Sequence, residues 1–180
     1  MTSSSEAGRP RAARLASYWF LARFLILLAA LYFLVAWRPV NDRVIVPFTS
    51  VIASVSGAIL RVIGEPITVN GTTISGGGFA VNIENGCNGI EAALLFVSAV
   101  LAFPAPWRSR LLGAVAGLLA IQVVNFVRVV SLFWIGRHHP ALFQSSHTVI
   151  WQSAVVLFGV VLFFLWAARQ PRPIRAPTEG

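Results

Sequence analysis

Apolar residues fall along this chain in long runs, not in the short alternations of a soluble domain. Four runs, 18–37, 90–106, 111–135 and 148–168, come near the length of about 20 residues that a bilayer core requires, and each predicts a transmembrane helix. A fifth stretch, 44–63, is long enough to span but amphipathic. Phe48, Val51, Ile52, Val55, Ile59 and Val62 share one of its faces, with Ser50, Ser54, Gly57 and Arg61 opposite, a pattern that predicts a helix lying in the membrane interface. Between 66 and 85 the period changes. Asn70-Gly71 separates two β-prone runs, and Phe79, Val81 and Ile83 then alternate with Ala80, Asn82 and Glu84, which predicts a hairpin and a small sheet. Asn70-Gly71-Thr72 also fits a glycosylation acceptor, but the turn explains the same residues without a modification. The fold class expected is an all-α integral membrane helical bundle of four transmembrane helices, five if 44–63 also spans, with a small extracytoplasmic β-hairpin or sheet.

Composition agrees. Hydrophobic residues make up 57% of the chain and charged residues 11%, where a soluble domain carries roughly one-quarter charged. Every basic residue is Arg, concentrated at the ends (Arg9, Arg11, Arg14; Arg169, Arg172, Arg175) and in one loop (Arg108, Arg110). Basic loops stay in the cytoplasm, so both termini and the 107–110 loop are expected there and residues 38–89 outside. The net charge of +8 then sets topology and calls for membrane lipid, not nucleic acid, as the partner. The first run is longer than a signal-peptide core and no small-x-small cleavage site follows it, so it reads as a retained anchor. Residues 1–17 and 169–180 are expected to be disordered basic cytoplasmic tails flanking one membrane domain, 18–168.

The candidate chemistry begins at the only cysteine, Cys87, in the stretch ENGCNGIEA. Gly86 and Gly89 permit a sharp turn into the run that starts near Ile90, and a thiol at a helix N-terminus is drawn toward the thiolate. Taken alone, a single cysteine is more usually a small buried hydrophobe. In the run 111–135, Gln122, Asn125, Arg128 and Ser131 recur every third residue as a polar stripe. Arg128 lies roughly 10 Å inside the span at about 1.5 Å per residue, where an arginine costs on the order of 2.5–3.5 kcal/mol. It needs a partner: Glu91 as an ion pair, the outer interface by snorkelling, or a thiolate or oxyanion to stabilise. Asn125 could hold Arg128 or bond substrate. His138, His139 and His147 fall in or beside the loop 136–147, and His147, at the start of the last span, is best placed for a general base. No metal-ligand spacing is present, and no metal or cofactor is expected. The stripe by itself fits equally a small non-enzymatic transporter or assembly subunit with a polar Arg/Asn/Gln-lined path.

NGCNGIEAALL, NFVRVVSLFWIG and a histidine opening the final span together resemble the exosortase/archaeosortase family of membrane transpeptidases. The short length is similar to that of compact exosortases such as the H type. The resemblance covers about 38–168. It implies that Cys87, Arg128 and His147 are the catalytic set, with His139 as the alternative histidine, and that Asn125, Glu91, Asn88 and Gly89 support them or bind substrate. It implies a cysteine protease/transpeptidase of the bacterial inner membrane, multi-pass, with its active site facing the periplasm. Its partners would be exported proteins ending in a motif, a transmembrane helix and a basic cluster, cleaved through a thioester and passed to an acceptor. An extended substrate motif would pair with an edge of the 66–84 sheet. A membrane-impermeant maleimide added to intact spheroplasts is expected to label Cys87; labelling only after cytoplasmic access would overturn the topology.

Overall fold

The computed structural model describes residues 9–170, with side chains described except at 9–14, 16, 144, 145 and 148. The parts of the expected tails at 1–8 and 171–180 lie outside the described residues. The helices are α1 (Arg9–Ala36), α2 (Arg38–Val40), α3 (Val46–Val62), α4 (Ile90–Ala102), α5 (Trp107–His138), α6 (Pro140–Ser145) and α7 (Gln152–Ala168). A π-helical turn, Asn41–Ile45, joins α2 to α3, and another, Ser146–Trp151, joins α6 to α7. Three strands, β1 (Thr68–Asn70), β2 (Thr73–Gly76) and β3 (Phe79–Asn82), lie between α3 and α4.

Four helices are long and apolar enough to cross a membrane: Ser17–Ala36, Arg38–Val62, Trp107–His138 and Val149–Ala168. They are not the four runs expected to span, since Arg38–Val62 has the length and Ile90–Ala102 falls short of it; three further differences from the sequence expectation have local reasons. Helix α1 begins at Arg9, inside the segment read as an irregular tail, because Pro10 suits the first turn and the Ala- and Arg-rich residues after it favour helix without needing an apolar face. Helix α4 stops at Ala102, not 106: Phe103 is extended at φ −70°, ψ 138°, as the residue before Pro104 should be. At 13 residues α4 is about 20 Å long. Arg110 satisfies carbonyls in the last turn of α4 and beyond it, with Nη1 donating to that of Leu101 at 3.3 Å and Nε to that of Ala105 at 2.8 Å.

The third difference concerns which face of α3 packs. Thr49, Ile52, Ala53, Ser56, Gly57 and Leu60 are buried, while Val51, Val55, Ile59 and Val62 of the apolar stripe are exposed. Lipid is as apolar as a protein core, so aliphatic residues gain little by turning inward, and small residues let elements approach closely. Both ends of α3 are tied to the sheet end of the bundle. Asn41 accepts from Asn85 at 3.1 Å, and Glu65, just past its C-terminus, pairs with Arg137.

The sheet is antiparallel in the order β1-β2-β3. Asn70 pairs with Thr73, so the turn is Gly71-Thr72, one residue later than Asn-Gly. Ile67, Ile74 and Ile83 join Ile52 and Leu60 of α3 and Val129 and Phe133 of α5 in one core. A second core joins Ala92, Phe96 and Val100 of α4 with Ala114 and Ile121 of α5 and Val155 of α7. Phe133 is fully buried and meets Phe79 edge to face at 5.5 Å, fixing the sheet to α5. Phe133→Ala should therefore cost about 3–5 kcal/mol. The exposed Val127→Ala should stay within about 0.5 kcal/mol, both read as thermal unfolding in detergent.

Candidate active site

Between the two cores the chain leaves β3 and turns through residues 83–89 into α4. Buried Ile83 anchors this loop, and its amide donates to the Thr72 carbonyl at 3.0 Å. Gly86 and Gly89 take φ of 93° and 79°, values that L side chains rarely adopt. At Gly89 a Cβ would also be crowded, standing 3.0–3.2 Å from the side chains of Gln122 and Asn125. Fully buried Asn88 braces the loop from within. Its Nδ2 donates to Thr49 Oγ1 at 3.0 Å, and its Oδ1 accepts from the Ile90 amide at 3.1 Å, capping a first-turn donor of α4.

These turns bring Cys87 to the seam, half-buried, with its amide on the Glu84 carbonyl at 2.9 Å. His147 Nε2 stands 2.8 Å from Cys87 Sγ, and the imidazole stacks on Phe143 with centroids 5.8 Å apart and planes 7° apart. Arg128, only 2% exposed, directs its guanidinium to the same place. Nη1 donates to the Gly86 carbonyl at 3.2 Å, and Nη2 to Gln152 Oε1 at 3.2 Å and Cys87 Sγ at 3.8 Å. The guanidinium thus neither snorkels nor forms an ion pair with Glu91; the ion pairs among the described residues involve Arg137 and His138 with Glu65.

Burial raises the Cys87 thiol above its usual range, Arg128 opposes that change, and Glu84 and Glu91 add to it. The helix N-terminus expected to favour the thiolate begins three residues on, and desolvation outweighs it. His147 is pushed the other way, first by burial and then by Arg128, so its neutral form extends to lower pH. The resting pair near neutrality is a thiol beside a neutral imidazole, with the Arg128 guanidinium next to the sulfur.

Of the sequence-derived candidates, Cys87, Arg128 and His147 converge, with Asn88 and Gly89 forming the frame. Asn125 is fully buried beneath Gly89, and neither its Oδ1 nor its Nδ2 has a hydrogen-bond partner. Glu91 faces a small cavity with Tyr32, Gly86 and Asn88. Ser131 leaves the stripe and bonds back to the Val127 and Arg128 carbonyls at 2.7 and 3.0 Å, because steps of three drift round a helix of 3.6 residues per turn. His138 accompanies Trp134 and Glu65, and the His139 ring lies 6.0 Å from that of Trp134. Of the three histidines, His147 is the one at the thiol. Sequence reasoning passed over Gln152 and Phe143, although Gln152 stands out as an amide in a mostly apolar run. Among the described residues no three His, Cys, Asp or Glu gather as a metal cluster would.

The family model described as transmembrane exosortase matches residues 12–167. The chain belongs to the transmembrane exosortase family. Neither a curated protein nor a solved structure matches it. Family membership identifies a multi-pass membrane protein of a class of membrane-embedded sorting transpeptidases acting on exported proteins with C-terminal sorting signals. In this exosortase Arg128 holds the thiol pKa down, so its loss should raise that pKa and leave less thiolate at a given pH. Arg128→Gln is expected to slow alkylation of Cys87 at pH 7, about tenfold for every pH unit by which the thiol's titration moves up, read by mass spectrometry on purified protein. An unchanged rate would remove the guanidinium from the thiol's chemistry.

Proposed function

We propose that this exosortase cleaves and transfers its substrates through Cys87. The observation that carries this reading is the 2.8 Å contact between Cys87 Sγ and His147 Nε2 with the Arg128 guanidinium behind the sulfur. His147 takes the thiol proton as Sγ attacks the scissile carbonyl. The electron pair of the C=O bond moves to oxygen, and Arg128 offsets the charge that passes from sulfur to the oxyanion. As the intermediate collapses, the C–N bond breaks, the leaving amine takes the proton from His147, and a thioester remains on Cys87. An acceptor nucleophile gives its proton to His147 and attacks the thioester; the C–S bond breaks, and the leaving sulfur takes that proton back from His147, restoring the Cys87 thiol. Asn125, buried beneath Gly89, would steady this assembly, and Glu91 would border the site on the α1 side.

The site faces the periplasm from the bacterial inner membrane in this reading, with the sheet outside. The attachment of both ends of α3 to the sheet end supports a helix lying along the interface. Strand pairing supports the docking of an extended substrate. Ile83 bonds to Thr72 of the β1–β2 turn, so the alternate residues Ala80 and Asn82 turn their backbone groups away from β2, along an edge that leads in five residues to Cys87. A transporter is less well supported, because Asn125 and Arg128, at 0% and 2% exposure, line no open path. In cells carrying a candidate substrate with a C-terminal sorting signal, Cys87→Ala should abolish processing and leave full-length substrate on an immunoblot. Continued processing would sink the transpeptidase reading, and dependence on Arg128 alone would favour transport.

A further inference from the structure

The side chain that completes the hydrogen bonding of Arg128 is one that the proposed reaction does not use. Gln152 Oε1 accepts one N–H of Nη2 at 3.2 Å, while the same nitrogen lies 3.8 Å from Cys87 Sγ. Nη1 is held by the Gly86 carbonyl, and Nε, buried, has no partner. The guanidinium is planar and its N–H directions are fixed. An oxygen that engages one N–H of Nη2 therefore decides where the other points, and here it points at the sulfur.

Gln152 reaches this position because of the π-helical turn Ser146–Trp151. In a regular α-helix, residues five apart lie about 140° apart around the axis, so His147 and Gln152 could not both face one target. A π-turn closes on residue i+5, which brings such positions one above the other. The single turn sets His147 on the thiol and, five residues on, Gln152 on the arginine. One continuous stretch thus reaches the sulfur through His147 and the sulfur's other partner, Arg128, through Gln152.

We propose that Gln152 is a positioning residue: through its hydrogen bond to Nη2 it aims the Arg128 guanidinium at Cys87 and so sets how readily the thiol ionises. This rests on Cys87 being the reacting group. Because the chain has one cysteine, the pH dependence of its alkylation reads the thiol directly in full-length protein in nanodiscs. Gln152→Met keeps the length and removes the acceptor; it should move the inflection upward and slow alkylation at pH 7 by about three- to tenfold, tenfold corresponding to an inflection one pH unit higher. Gln152→Glu, which would neutralise the guanidinium, should move it further in the same direction. If Gln152 acts through Arg128, the double variant with Arg128→Gln should react no more slowly than Arg128→Gln alone, whereas separate structural effects would add.

An inflection unchanged in both single variants, or additive effects in the double variant, would overturn the proposal. The proposed function fails separately. Should Cys87→Ala still process substrate while Gln152→Met moves the titration, transpeptidation through Cys87 falls and the positioning role stands. Should Cys87→Ala abolish processing while the titration is unmoved, only the positioning role falls.

Discussion

The arrangement of this molecule turns on a buried guanidinium. An arginine placed a third of the way into a transmembrane helix must find acceptors inside the protein, since lipid supplies none. Arg128 finds them on two other segments, the Gly86 carbonyl of the loop before α4 and the Gln152 amide at the start of α7. Meeting that requirement draws the loop and α7 onto α5 at one level. The sulfur and the imidazole are carried to the same level because Cys87 follows Gly86 and His147 lies one π-turn before Gln152. The contacts that meet the polar cost within the helix also bring the sulfur and the imidazole together at its edge.

The surrounding structure holds this crossing in place. Asn88 ties the loop to Thr49 of α3 and caps α4, and Gly89 lets Gln122 and Asn125 come close beneath it. The sheet has its own attachment, through Phe79 on Phe133, and the Arg137–Glu65 pair ties the loop before β1 to the C-terminal end of α5. A core on each side leaves the loop little freedom, which suits the proposed reaction, whose donors must stand where charge would appear.

Much of this was legible in the residues themselves. Polar side chains in an apolar run announce themselves, so Gln122, Asn125 and Arg128 were visible, and Gly-Cys-Asn-Gly after an alternating strand marked the turn that presents Cys87. The alternation of Phe79 to Ile83 gave β3, and the start of the last span pointed to His147 over His139. The rest was hidden for physical reasons. Periodicity assumes 3.6 residues per turn, so a π-turn that realigns Gln152 with His147 cannot be read from spacing. Hydrophobicity cannot say whether an apolar stripe faces lipid or protein, which is why Val51, Val55 and Ile59 turned outward. The starts and ends of α1 and α4 depended on proline positions and helix propensity, not on the apolar run.

The shortness of α4 is covered by its neighbours. Its 13 residues reach about 20 Å, whereas the hydrocarbon layer is about 30 Å thick. Leu101 is the one exposed residue of α4, and α1, α5 and α7 pack around it, so longer helices, not lipid, span the difference. Gly89 meets Asn125 while α5 continues to His138, which leaves the start of α4 recessed inside the bundle.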